Sequence, residues 1–237
     1  MNNPLLDTLR RQIDRFEGAG HKEGLASVSS GCGPLDGLLP KRGFCRGALV
    51  EWLADGEAAG AMTLAMTAAR QACLDGGALI VLDDRCEFYP PAAARLGIEL
   101  ENLIVVQARG RADCAWALDQ ALRCRAVAAV VARLDKFDGR AFRRLQLAAE
   151  QSGAIGMIIR PQTARHEPAW TDARILVELL ALGDSVAGRR LRIHLLRCRG
   201  RSGGDNVDVE IDDETHTMHL VTQLADCSAR RRFALDR

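Results

Sequence analysis

Residues 56–63 read GEAAGAMT, between an apolar run ending in ALVEWL (48–53) and the helix-like LAMTAARQA (64–72). A glycine-bearing turn between a buried strand and a helix is where a phosphate-binding loop sits. That loop reads G-x-x-x-x-G-K-[ST], and its lysine reaches the β- and γ-phosphates. Gly60 fits the second glycine of the pattern, while Asp55 occupies the first glycine's place and Gly56 comes one residue later. Ala61 stands where the lysine belongs, with Met62 next and Thr63 one position further. The glycines that let a strand turn tightly into a helix are kept; the cation that answers phosphate charge is not. The stretch predicts a strand–turn–helix unit carrying the outline of a nucleotide site, and no nucleotide cofactor is expected in it.

The pattern on either side decides the fold class. Apolar strands are expected at 47–53, 78–84, 102–107, 126–132 and 154–159. Between them lie a helix after Gly60, a short proline-opened helix in PPAAARLG, a helix over 112–124 and a helix capped by Asp138 that runs to about 151. Alternating buried strands and helices imply a mostly parallel sheet covered on both faces. After the polar stretch RPQTARHEPAW the pattern changes to strands alone, at 174–182, 189–199, 206–211 and 215–221, with GRSGGDN suggesting a hairpin turn. The predicted class is α/β: a mostly parallel sheet flanked by helices, with a C-terminal antiparallel extension. Arg190 and Arg192 alternate with apolar residues in one of these strands, and Asp208 and Glu210 in the next. The arginine row is open to two readings, a nucleic-acid stripe or cross-strand pairing with the acidic row, and pairing is expected.

Bulk properties narrow the function. The 237 residues carry a formal net charge of +1, which removes any bulk electrostatic case for nucleic acid, and no apolar run approaches a membrane span. Only Lys22, Lys41 and Lys136 are lysines; every other basic residue is arginine. The eight cysteines form no C-x-x-C pair and most fall inside apolar patterns, so they are expected to be reduced, in a cytoplasmic protein. His216 and His219, three apart in a strand, point to opposite faces, and no metal site is expected.

The stretch SSGCGPLDGLLPKRGFCRGALVEWL (29–53) resembles the approach to a RecA-type ATPase core, on Ser30, Gly31, Leu35, Asp36, Gly43, Gly47 and Glu51. ALIVLDD, ARLGIELENLIVVQ and AVAAVVA keep the order of that core, and the resemblance covers about residues 26–220. It implies three catalytic positions. Besides the lysine position at Ala61, the glutamate that activates water falls at Arg85, with Glu87 close by. The Mg²⁺-binding aspartate falls at Arg133, or at Ala132 with a one-residue slip, with Asp135 two positions on. Loss of charge neutralisation, water activation and metal binding together implies a core that does not hydrolyse ATP. The segments that hold DNA in RecA recombinases are short here, so DNA contact is expected to be indirect.

RAFRRLQLAAEQSGAIGMIIRP (140–161) resembles the ImuA family and the related SulA division inhibitors, and the fuller core favours ImuA. The resemblance implies an accessory role in damage-induced (SOS) translesion synthesis and mutagenesis. It acts through RecA and/or an ImuB-like Y-family polymerase homologue, with self-association a further possibility. The alternatives are an FtsZ-binding division inhibitor and a nucleotide-binding RecA-like ATPase. The expected organisation is an N-terminal amphipathic helix (1–20), a linker (21–27), the RecA-like core (28–200), and C-terminal strands with a basic tail (201–237). Expected partner contacts are the stripe Leu5, Leu9, Ile13 and Phe16, at helical spacing, and the tail residues Arg230, Arg231 and Arg232. Deleting residues 1–20 is expected to leave a folded core with altered oligomerisation or partner binding, read by circular dichroism and light scattering; a deletion that unfolds the domain places the stripe in the core instead.

Overall fold

The computed structural model describes residues 26–56, 60–136, 138–168, 170–180, 188–201, 203–212 and 218–220. The N-terminal stripe and the basic tail lie outside them. A two-stranded antiparallel ribbon, β1 (Ser27–Val28) and β2 (Phe44–Cys45), brackets a short helix α1 (Gly33–Leu38). The main chain then alternates through β3 (Leu49–Ala54), α2 (Ala61–Cys73), β4 (Ala78–Leu82), α3 (Pro90–Arg95), β5 (Leu103–Val106), α4 (Gly110–Arg123), β6 (Val127–Arg133), α5 (Gly139–Ser152) and β7 (Ile155–Pro161). Four strands close it: β8 (Ala173–Leu180), β9 (Arg189–Cys198), β10 (Asn206–Ile211) and β11 (Met218–Leu220).

Nine strands form one sheet in the order β11-β10-β9-β8-β3-β7-β6-β4-β5. From β5 to β8 all neighbours are parallel; from β8 outward they are antiparallel. The class read from the sequence is the one observed. The C-terminal strands continue the same sheet, and the 200/201 boundary falls in the turn between β9 and β10.

Both faces of β3, β4, β6 and β7 are covered, which is why these strands are near-continuous apolar runs, while edge strand β5 stays partly exposed. Val50, Trp52, Met157, Ile159 and Val131 pack beneath α2 in the larger core, while Ile80, Val130, Ile158 and Leu49 pack beneath α4 and α5 in the second. Alanine-rich α2 buries Ala61, Ala65, Ala68, Ala69 and Ala72, small side chains that let its backbone lie close to the sheet. α5 buries Phe142, Leu145 and Ala149, and Asp138 caps it by accepting a hydrogen bond from the Arg140 N–H at 2.6 Å. The lead-in motif has a local cause. Asp36 accepts the Ser30 N–H at 2.8 Å and the Ser29 hydroxyl at 2.6 Å, and Leu35 beside it is fully buried.

One polar residue lies within the central strand. Glu51 of β3 has no exposed side-chain surface, and it accepts from Arg160 Nη1 at 2.9 Å and Arg174 Nε at 2.5 Å. Arg160, equally buried, donates its Nη2 to Glu167 at 2.5 Å and lies 5.3 Å over the Phe142 ring; its Nε finds no acceptor among the described residues. Arg174 also donates to the carbonyls of Arg165 and Glu167, both at 2.9 Å. Two carboxylates and two guanidiniums thus tie β3, β7, β8 and the turn at 162–167 together with no net charge. In the extension, Arg192 and Asp208 face each other in register and pair twice at 2.7 Å, and Arg190 pairs with Glu210 at 3.6 Å. The arginine row is therefore engaged with the acidic row, as expected, and the hydrogen bonds from Arg192 hold the Asp208 carboxyl below its usual range.

Removing one partner of a buried pair leaves an uncompensated charge and costs about 3–5 kcal/mol. Glu51→Ala is expected to lower unfolding free energy by that amount in urea titration, whereas Glu51→Leu with Arg160→Met is expected to recover most of it. A Glu51→Ala loss below about 1 kcal/mol, the range of an exposed pair, contradicts this account.

Candidate functional site

The ends of β3, β4, β6 and β7 converge where ligands bind in open parallel sheets, at the carboxyl edge. The turn leaving β3 passes Gly56 at φ +82° and returns at Gly60 at φ +79°, which caps α2. Residues 57–59 lie outside the described chain. A side chain at Gly60 would be strained by that φ, and its Cβ would stand 2.5 Å from Leu191 Cδ1 of β9. The glycine is thus required by the turn and by packing, without reference to phosphate. Ala61 is buried in the first turn of α2, and its methyl belongs to the core. No charge can come from that position. Thr63 is half-buried two residues on and lines a recess.

The two positions expected to carry acids hold arginines that are engaged crosswise. Arg85, in the loop after β4, reaches Asp135, in the loop after β6, with Nη2 to Oδ2 at 3.1 Å. Arg133, the last residue of β6, reaches Glu87, in the loop after β4, with Nη1 to Oε2 at 3.5 Å. Each loop supplies one cation and one anion, and the two pairs bridge the loops. The Asp135 carboxylate holds the Arg85 guanidinium above its ordinary range. Asp83 sets the geometry of the first loop by accepting the Glu87 N–H at 3.0 Å and the Phe88 N–H at 2.9 Å. That clasp carries Cys86 at φ +56° between its two ends. Glu87 and Asp135, the acids nearest positions 85 and 133, are therefore both held by arginine.

Two cavities remain, of about 230 Å³ and 190 Å³. Thr63, Met66, Asp83 and Phe88 line the first; Gly56, Ala61, Asp135 and Pro161 line the second. Met62, Arg85 and Arg133 line both and stand between them. Ligand pockets run from about 300 to 1,000 Å³, so neither alone reaches that size. Among the described residues no group of three His, Cys, Asp or Glu side chains could hold a metal ion, and no helix is long and apolar enough to cross a membrane.

The structure brings together Gly56, Gly60, Ala61, Thr63, Arg85 and Arg133, all predicted from the sequence. Leu5, Leu9, Ile13, Phe16, Arg230, Arg231 and Arg232 lie outside the described residues. Sequence reasoning missed the crosswise pairing, the Asp83 clasp and the Arg160 anchor. The signal for the last was present: a glutamate inside an otherwise apolar strand requires a buried cation.

No protein-family model matches the chain. It is 33% identical over 179 residues to Protein ImuA from two strains of Caulobacter vibrioides, which covers 67% of this chain and 73% of the relative. It is also 32% identical over 112 residues to Protein RecA of Rhodopirellula baltica, covering 44% of this chain and 30% of that protein. To Protein RecA of Bartonella bacilliformis it is 34% identical over 111 residues, covering 43% and 32%. A parallel core of the RecA kind, joined to an ImuA likeness across two thirds of its length, places the chain in the ImuA family.

Proposed function

We propose that the protein is a non-catalytic, RecA-like accessory factor of damage-induced translesion synthesis and mutagenesis. It works through protein–protein contacts with RecA and/or an ImuB-like polymerase subunit. The observation that carries this reading is the crosswise pairing of Arg85 with Asp135 and of Arg133 with Glu87 behind an uncharged Ala61. Phosphoryl transfer depends on cations and a metal placed around the phosphates and on an acid that positions the nucleophile. Here the lysine position is a methyl group, and the nearby acids are occupied. What the core retains is its scaffold: the strand ends, the helix packing and the outer edges of the sheet. A fold that keeps its surfaces while its pocket is filled by internal ion pairs is suited to recognition rather than turnover.

Hydrolysis of ATP is expected to stay at background with or without single-stranded DNA in a steady-state phosphate-release assay. Losing a single transition-state partner typically costs 10²–10³-fold, and three positions are altered. Turnover that disappears in Thr63→Ala and Glu87→Gln overturns the non-catalytic reading. For the role, deleting the gene is expected to lower the damage-induced mutation frequency, and the purified chain is expected to retain RecA or the polymerase-like subunit on an affinity matrix. Unchanged mutagenesis with no retention of either removes the reading, and retention of FtsZ puts the division-inhibitor reading in its place.

A further inference from the structure

α4 and α5 cover one face of the sheet and lead into parallel neighbours, β6 and β7, so the two helices run the same way. Polar contacts between them fix their register. Asp119 of α4 meets Arg144 of α5 at 3.3 Å, and Arg123 of α4 meets Gln151 of α5 at 3.5 Å. Asp119 also holds Arg123, one turn along its own helix, at 2.8 Å. One carboxylate, only 8% exposed, is thus shared by two guanidiniums, and one positive charge is left over.

The same imbalance holds for the helix pair as a whole, which carries five arginines against three acids. Of the other two acids, Glu150 is engaged by Arg199, beyond β9, and Asp113 stands in the first turn of α4, where the helix dipole favours an anion. Two exposed apolar side chains flank the charged centre. Trp116 comes three residues before Asp119 and Leu147 three residues after Arg144, a spacing that keeps each on the same side of its helix as the charged residue. Trp116 is 66% exposed and Leu147 is 41% exposed. Neither belongs to the core beneath these helices, which Leu118, Leu122, Phe142 and Leu145 fill. At a rise of 1.5 Å per residue, the two stand about 9 Å apart along the helix axes, one on each helix, with the cations between them.

We propose that the paired outer faces of α4 and α5 dock an acidic amphipathic helix of a partner protein. Its apolar residues, seven apart, sit on Trp116 and Leu147, and carboxylates between them meet Arg123 and Arg144. Seven residues of helix span about 10.5 Å, which matches the separation of the two anchors. Helices laid into a groove are read through apolar anchors at such intervals, and tryptophan and arginine are the residues on which interface energy concentrates. Charge sets the sign of the partner: guanidiniums outnumber carboxylates here, and Asp119 is already doubly used. A nucleic-acid strand would meet the same cations, but Leu147 offers it neither charge nor a stacking face. The proposal rests on the protein-contact reading above and supplies the surface and the partner chemistry.

The test is fluorescence anisotropy of the full chain with a labelled helical peptide that carries leucines seven apart and glutamates between them. Two control peptides replace the glutamates by lysine or the leucines by serine. The acidic amphipathic peptide is expected to bind in the micromolar range and both controls at least about tenfold more weakly. Trp116→Ala and Leu147→Ala are each expected to weaken binding by about 5- to 30-fold, the range of an interface anchor. Arg144→Ala, which leaves Asp119 paired with Arg123, is expected to weaken it and to flatten its dependence on salt. The three side chains are exposed or half-exposed, so the variants are expected to melt with the parent protein; if one fails to fold, the other two decide. No binding of the acidic peptide up to about 10⁻³ M overturns the proposal. So does equal binding of all three peptides, or binding that the three substitutions leave unchanged. Binding of an oligothymidylate that these substitutions abolish, with no binding of the peptide, assigns the face to nucleic acid and also overturns it. Retention of RecA or the polymerase-like subunit by the same variants separates this proposal from the accessory role. If Trp116→Ala and Arg144→Ala retain the partner as well as the parent does, the role stands and this surface falls. If neither partner is retained while the peptide binds and the variants lose it, the surface stands and the role falls.

Discussion

A carboxylate buried in the central strand organises this molecule. Glu51 lies between β7 and β8, and two guanidiniums reach it from those neighbours. An isolated charge there would be intolerable, so the three strands and the turn at 162–167 must assemble together. Part of the candidate site hangs from this joint. The end of β3 leads into the Gly56–Gly60 turn, and the end of β7 walls the second cavity. The Glu51–Arg160 pair is weak evidence of stability in itself, because a well-packed apolar pair can do as well. The pair bridges β3 and β7, neighbouring strands in parallel register.

The ion pairs at those ends have a different character. The Arg85, Asp135, Arg133 and Glu87 side chains are all partly exposed, and pairs of that kind contribute about 0–1 kcal/mol. They do not hold the fold together. They sit at the carboxyl edge of the sheet, where Arg85 and Arg133 line both of the small cavities. The same chain thus sets a largely buried ionic network joining β3, β7 and β8 apart from the exposed crosswise pairs at the edge of the sheet.

Much of the fold was legible because its signals are local. Apolar runs of strand length, proline-opened and aspartate-capped helices, and the change to strands alone after residue 161 each follow from a few neighbouring residues. The pairing of Arg190 and Arg192 with Glu210 and Asp208 was also readable, because a hairpin with a short turn fixes its own register. The candidate site was only partly legible. Positions 61, 85 and 133 could be located through the resemblance to the RecA core, but the crosswise pairing joins loops about fifty residues apart and depends on how β4 lies beside β6.

The crosswise pairing also constrains the evolutionary history open to this chain. An acid placed at position 133 alone would face Glu87 across the gap that Arg133 closes at 3.5 Å, and an acid placed at position 85 alone would face Asp135. Each such single substitution replaces attraction with repulsion between carboxylates. The two loops are thus mutually dependent in their charges, whatever the pocket beside them does. Drift should therefore preserve opposite charges across each pair more faithfully than it preserves the identity of any one residue.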